Sequence, residues 1–193
     1  MEALRDRLIL HCAPVLKGVK SANLVSVPTG SVKQVLEDLN GTGVFCVPIY
    51  QGSSELLFLF RRDMLERRME ERTVRRFLEQ YGYRDFGSTG ILVHLQDRFA
   101  AYKKKEQPFP HEMGLFLDYP LKDVENFIRQ EGKNFLLNGY WKVYEHAARA
   151  GRCFARYDRA REQAVSEAAR GCTMAEISHP LSNTEKLCYN KRL

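Results

Sequence analysis

The chain has 193 residues, a length that fits one domain, and its 44% hydrophobic and 28% charged residues are ordinary for a globular protein. No apolar run approaches the roughly 18 residues needed to cross a bilayer, and the mixed charges of Met1-Glu2-Ala3-Leu4-Arg5-Asp6-Arg7 are unlike the basic start of an export signal. A cytoplasmic protein without a membrane partner is therefore expected. The formal charge of +6 suits nucleic acid, an anionic metabolite, an acidic partner or simply a solvated basic surface.

In chain order, residues 2–10 read as a helix stopped by His11-Cys12-Ala13-Pro14, since the residue before proline avoids helical backbone. Residues 22–27 read as a strand. Pro28-Thr29-Gly30-Ser31 then turns into a helix over 32–39, with Ser31 as its cap. Residues 44–50 form a second strand, apolar enough to be buried on both faces. A Gly52-Ser53-Ser54 turn leads into an antiparallel third strand, 56–60. Strand, helix and strand over 22–50 resemble a βαβ unit. One long helix is expected over 63–80, with Leu65, Met69, Phe77 and Leu78 on its apolar stripe. Another begins at Ser88 or Thr89, and Lys103-Lys104-Lys105 falls at its C-terminal end, where cations favour the dipole.

Beyond Pro108-Phe109-Pro110, short helices are expected over 111–117 and 121–130. A strand over 134–144 and a long helix over 145–170 follow. The fold expected is one α/β domain over residues 1–170, a mixed sheet of about four strands flanked by helices. Residues 171–193 read as a polar tail.

Four features could carry chemistry. Thr29-Gly30-Ser31 with Lys33 could offer backbone amides and charge to an anion, or be a plain capped turn. It is neither a Walker motif nor G-x-G-x-x-G. His111 and Glu112, held between prolines at a helix start, could act as acid, base or ligand-orienting pair, or merely cap the helix. The same stretch read through Ile128 follows helix-turn-helix spacing, although Asp123 and Glu125 on the reading face are unfavourable beside phosphates. Tyr140-Trp141-Lys142 precedes a helix on which Arg149, Arg152, Arg156 and Arg159 recur at one-turn spacing, a stripe able to meet an anionic partner or remain solvated. Cys12 could be a nucleophilic or redox thiol if a base such as His111 reached it, or a small buried apolar residue.

The five cysteines, Cys12, Cys46, Cys153, Cys172 and Cys188, form no C-x-x-C pair. Their odd number and spacing argue against a disulfide framework. No metal is assigned; only Cys172, His179 and Cys188 could be forced into a metal set.

His11-Cys12-Ala13-Pro14 with Lys17, Gly18 and Lys20-Ser21-Ala22-Asn23-Leu24 is a distinctive stretch. So are Phe109-Pro110-His111-Glu112-Met113-Gly114 with Phe116-Leu117 and Tyr119-Pro120, and Gly139-Tyr140-Trp141-Lys142-Val143-Tyr144. Together they resemble an uncharacterised domain-of-unknown-function family of small proteins common in anaerobic bacteria. The resemblance spans roughly residues 1–161 and implies no activity. The leading expectation is a small-molecule protein, and an enzyme if its site performs chemistry. Cys12, His111, Glu112 and Tyr140-Trp141-Lys142 would gather around an anionic or redox ligand. A nucleic-acid binder using the arginine stripe, or an interaction module for an acidic partner, are the alternatives. No cofactor and no oligomeric state are implied.

Overall fold

Three strands form an antiparallel sheet in the order β1-β3-β2 in the structure, a computed structural model that describes residues 4–178. They are β1 (Ala22–Pro28), β2 (Phe45–Gln51) and β3 (Ser54–Phe60). The expected β2–β3 hairpin is present, and Gly52 donates its N–H to the Ser54 carbonyl at 3.1 Å in the turn. β1 and β2 both run antiparallel to β3, so they are parallel to each other and joined through α2 (Val32–Asp38). They are not neighbours, however: β3 inserts between them. The βαβ reading is thereby corrected to a split unit. Burial shifts accordingly. The central strand β3 is the buried one, whereas β2 lies at an edge and is mostly half-exposed, contrary to the expectation from its apolar sequence.

The alternation of side chains divides the core in two. Val25, Val27, Leu57 and Leu59 face one way, towards α1 (Leu4–Leu16). Ala22, Phe58 and Phe60 face the other, towards helices α3 to α5 and the 3-10 turn His111–Leu115. α1 continues through Pro14 rather than stopping before it. The hydrogen bond that proline removes would have reached the carbonyl of Leu10, a residue 40% exposed. The end of α1 is held from outside. Arg61 donates to the carbonyls of Val15 (2.8 Å), which also accepts the Gly18 N–H, and Leu16 (2.6 Å) at the last helical turn.

The single helix expected over 63–80 is two, α3 (Arg62–Met69) and α4 (Arg72–Glu79). Extended backbone at Glu71 separates them, and both then turn an apolar side inward: Leu65 and Met69 from the first, Val74, Phe77 and Leu78 from the second. α5 (Ser88–Lys103) follows, burying Ile91, Leu92, Leu95 and Phe99. Each such burial contributes about 1.5–3 kcal/mol relative to exposure. The Lys103 ammonium lies 4.6 Å from the Tyr50 ring centre, so this lysine packs across β2 besides facing the helix dipole.

The second half is built around α6 (Leu121–Arg129). The strand expected over 134–144 is instead a ribbon of two short strands, β4 (Leu137–Asn138) and β5 (Lys142–Val143). Gly139 is the reason the chain can reverse there, because a Cβ at this position would lie 2.3 Å from the Phe154 ring. The ribbon leads into α7 (Ala147–Ala169), which packs along α1. Within the stretch 171–178, α8 (Met174–Ile177) carries a capping box from Thr173 and Glu176 and buries Met174 and Ile177. Residues 179–193 lie outside the described part of the chain.

Candidate functional site

The turn Thr29-Gly30-Ser31 does open α2, and Gly30 has φ +86°. Its anion already comes from within the protein. Glu55, 4% exposed on β3, accepts the Ser31 backbone N–H at 3.1 Å. Thr29 Oγ1 donates to the Gly52 carbonyl at 2.9 Å, and Lys33 is 90% exposed beside Glu37. The Ser31 side chain makes no capping bond, so the expected side-chain cap is absent. The turn is joined to the hairpin by these bonds.

Cys12 is fully buried in α1, among Leu8, Ile9, Leu57 and Leu59. Burial pushes its thiol up to about 12, against weaker lowering by an Asn23 hydrogen bond and the Lys20 charge. His111 and Glu112 sit on the opposite face of the sheet, with the 3-10 turn that packs on Ala22, Phe58 and Phe60. The expected convergence of Cys12 with His111 and Glu112 is therefore corrected: a sheet one strand thick lies between them. Lys20, whose charge reaches Cys12, is 2% exposed and donates to Asn23 Oδ1 at 2.8 Å.

Glu112 has a partner that the sequence did not disclose. Fully buried, it accepts from Arg98 Nε at 2.9 Å and from Arg98 Nη2 at 3.3 Å, with the Tyr83 hydroxyl donating at 3.4 Å. This fork binds α5 to the 3-10 turn. His111, next in the chain, turns away from it into a cavity. Burial lowers the His111 pKa from its ordinary value, opposed by the Glu112 charge, so the ring is neutral near pH 7. The ring lies between Phe109 and Phe127, 5.0 Å from each centre. Among the described residues its nitrogens have no hydrogen-bond partner.

That cavity, about 410 Å³, is where two of the distant motifs meet. His111, Met113 and Gly114 line it from the 3-10 turn, and Tyr140, Trp141 and Lys142 from the ribbon. α6 contributes Val124 and Phe127, and the strand residue Leu24 closes it. Gly114 permits the close fit, since a Cβ there would lie 2.9 Å from Tyr119 and 3.1 Å from Val124. Trp141 stacks on Tyr119 with centres 5.2 Å apart. Its indole N–H donates to Asp123 Oδ2 at 2.7 Å, while Asp123 Oδ1 accepts the backbone N–H groups of Tyr144 (2.7 Å) and Glu145 (3.2 Å). Tyr140 donates to Asp158 at 2.9 Å. Lys142 Nζ donates to the Gly132 carbonyl at 2.7 Å, and its other protons remain for an acceptor in the cavity. Asp123 is the sole carboxylate among the lining residues, and its oxygens are occupied by the three donors above.

A larger cavity, about 760 Å³, lies beyond Trp141 and Asp123, between α4, α6 and the start of α7. Of the arginine stripe only Arg149 lines it; Arg152 and Arg159 are exposed and Arg156 is half-buried on α7. Its lining carries Glu71, Asp118, Asp123, Glu125 and Glu145 against Arg68, Arg76, Lys122 and Arg149. That balance disfavours an anion. Arg68 and Lys122 are in any case paired with Glu71 and Glu125.

Sequence reasoning singled out the ribbon and His111, but missed Asp123 and Phe127 as parts of a site. The helix-turn-helix spacing puts Asp123 on an exposed reading face and does not single out Phe127; Asp123 is instead 3% exposed. Among the described residues no group of three or more His, Cys, Asp or Glu could hold a metal ion, and no helix is long and apolar enough to cross a membrane. His179 and Cys188 lie outside the described residues.

Fold and cavity together define a mixed α/β protein carrying an aromatic-walled pocket between a 3-10 turn, a helix and a short ribbon. Residues 8–178 match the family described as protein of unknown function (DUF3793), and the chain belongs to that family. No curated protein and no solved structure matches the chain.

Proposed function

We propose that this protein binds a small anionic molecule in the cavity formed by His111, Phe127 and Tyr140-Trp141-Lys142. The observation that carries the reading is the meeting of two motifs from separate elements around one cavity with a neutral imidazole and an ammonium available to a ligand. The volume falls in the range of about 300–1,000 Å³ usual for small-molecule sites, which combine apolar walls with a few polar groups. Cys12 has no part in it, because it lies in the other core layer.

The test is a capture experiment. Purified protein is incubated with a cellular small-molecule extract, freed of unbound material by gel filtration and denatured, and the released compounds are identified by mass spectrometry. An anionic compound should be enriched with the wild type. It should be lost with the double variant His111→Leu, Lys142→Met, provided that variant keeps the wild-type circular dichroism and melting transition. No enrichment, or equal retention by such a folded variant, would overturn the reading.

A further inference from the structure

The rings around the cavity fall into two groups that make no ring contact with each other. Phe109, His111 and Phe127 form one, with centres 5.0 Å apart along the series. Tyr119, Trp141 and Tyr140 belong to the other, where Tyr119 stacks on Trp141 and both Trp141 and Tyr140 pack on Phe154. All six residues line the same cavity. An aromatic ligand in this cavity gains face and edge contacts with these rings, besides the apolar burial that a saturated body of equal size also gains. Lys142 is the one lysine or arginine among the lining residues. Lys142 Nζ lies 5.9 Å from the Phe127 ring centre and 4.9 Å from that of Phe135, held by the Gly132 carbonyl. A ring entering between the walls can thus present an acidic substituent to Lys142.

Resting on the binding reading above, we infer that the ligand is a planar aromatic acid of one or two fused rings. The aromatic body lies between the His111 and Trp141 walls, and its carboxylate or equivalent anion meets the Lys142 ammonium. His111 supplies a neutral N–H or ring nitrogen to a further polar substituent.

Four probes separate the parts of this inference on the unaltered protein by calorimetry. Benzoate and 2-naphthoate carry ring and charge, cyclohexanecarboxylate carries charge without a π-system, and benzamide carries the ring without charge. The two aromatic acids should bind about tenfold or more tightly than either control, the size expected from losing one charge-assisted hydrogen bond or the stacking. Benzoate should also change the emission of Trp141, the only tryptophan of the chain. Lys142→Met should weaken the acids about tenfold and leave benzamide unchanged. No binding of either acid at millimolar concentration, equal binding of cyclohexanecarboxylate, or acid binding indifferent to Lys142→Met would overturn the assignment. The wild-type comparison decides the matter even if the variant fails to fold. Should the capture experiment recover a non-aromatic anion that depends on His111 and Lys142, the site reading would stand and this assignment would fall.

Discussion

Asp123 accepts the Trp141 indole N–H at 2.7 Å, and the same carboxylate caps the backbone amides of Tyr144 and Glu145 where the ribbon passes into α7. One buried side chain on α6 thereby fixes the tryptophan that divides the two cavities. Asp123→Ala should remove about 2–4 kcal/mol of stability, since it leaves buried donors without an acceptor. Urea unfolding followed by Trp141 emission measures it. The native emission maximum should also move to the red as the indole becomes hydrated. An unchanged midpoint and maximum would show that the indole is held by stacking alone.

Glu112, fully buried, pairs with the half-buried Arg98 beside the core layer that holds α3 to α5. Removing one partner strands the other charge, so Glu112→Ala should cost about 3–5 kcal/mol. The Lys122–Glu125 pair on α6 is exposed to solvent on the lysine side, and Glu125→Ala should cost under about 1 kcal/mol. Comparable costs for the two variants in chemical denaturation would contradict the structural role assigned to Glu112.

Burial lowers the Lys20 pKa from 10.5 to about 8, against raising by Asp118, Cys12 and Cys153. Between those values the unfolded chain keeps the lysine proton and the folded chain has lost it. The unfolded state binds more protons there, so this lysine makes stability rise with pH through that window, by about 3 kcal/mol in full. Burial also raises the Cys12 and Cys46 thiols to about 12, which works the other way above pH 9. The difference between wild type and Lys20→Met cancels the Cys46 thiol and, apart from the weak effect of the Lys20 charge, the Cys12 thiol. Measured by urea unfolding from pH 7 to 10, the wild type should gain on the variant as pH rises. A difference independent of pH would refute the lowered pKa.

The Cys12 thiol should be inert while the protein is folded. It is buried and stays protonated far above neutrality, and the attacking species in alkylation is the thiolate. Iodoacetamide at pH 7.5, with peptide mapping, should leave Cys12 unmodified until urea is added, and His111→Ala should not alter its rate. Rapid native labelling of Cys12 that slowed in the His111 variant would restore the thiol mechanism.

Much of the local structure is legible because it depends on near neighbours. Short apolar runs bounded by turn residues mark β1 and β3, and 3.6-residue spacing marks α5 and α7. Pro14 shows the limit of such rules. Proline forbids one hydrogen bond, but whether a helix tolerates that loss depends on what lies beside the freed carbonyl and on Arg61, 47 residues further on, holding the helix end. The break at Glu71 and the reversal at Gly139 are likewise set by what each segment packs against.

By itself the sequence determined the class of fold, the positions of the three sheet strands and the two motifs that line the cavity, since these follow from periodicity and residue chemistry. Only the tertiary structure decided that β3 separates β1 from β2. It also decided that α1 and the 3-10 turn cover opposite faces of the sheet, which separates Cys12 from His111. The partners of Glu112 and Asp123 were decided in the same way: a buried carboxylate is satisfied by whichever donors the packing brings to it. Arg98 arrives on α5 and the indole of Trp141 on the ribbon, and neither contact leaves a trace in local spacing.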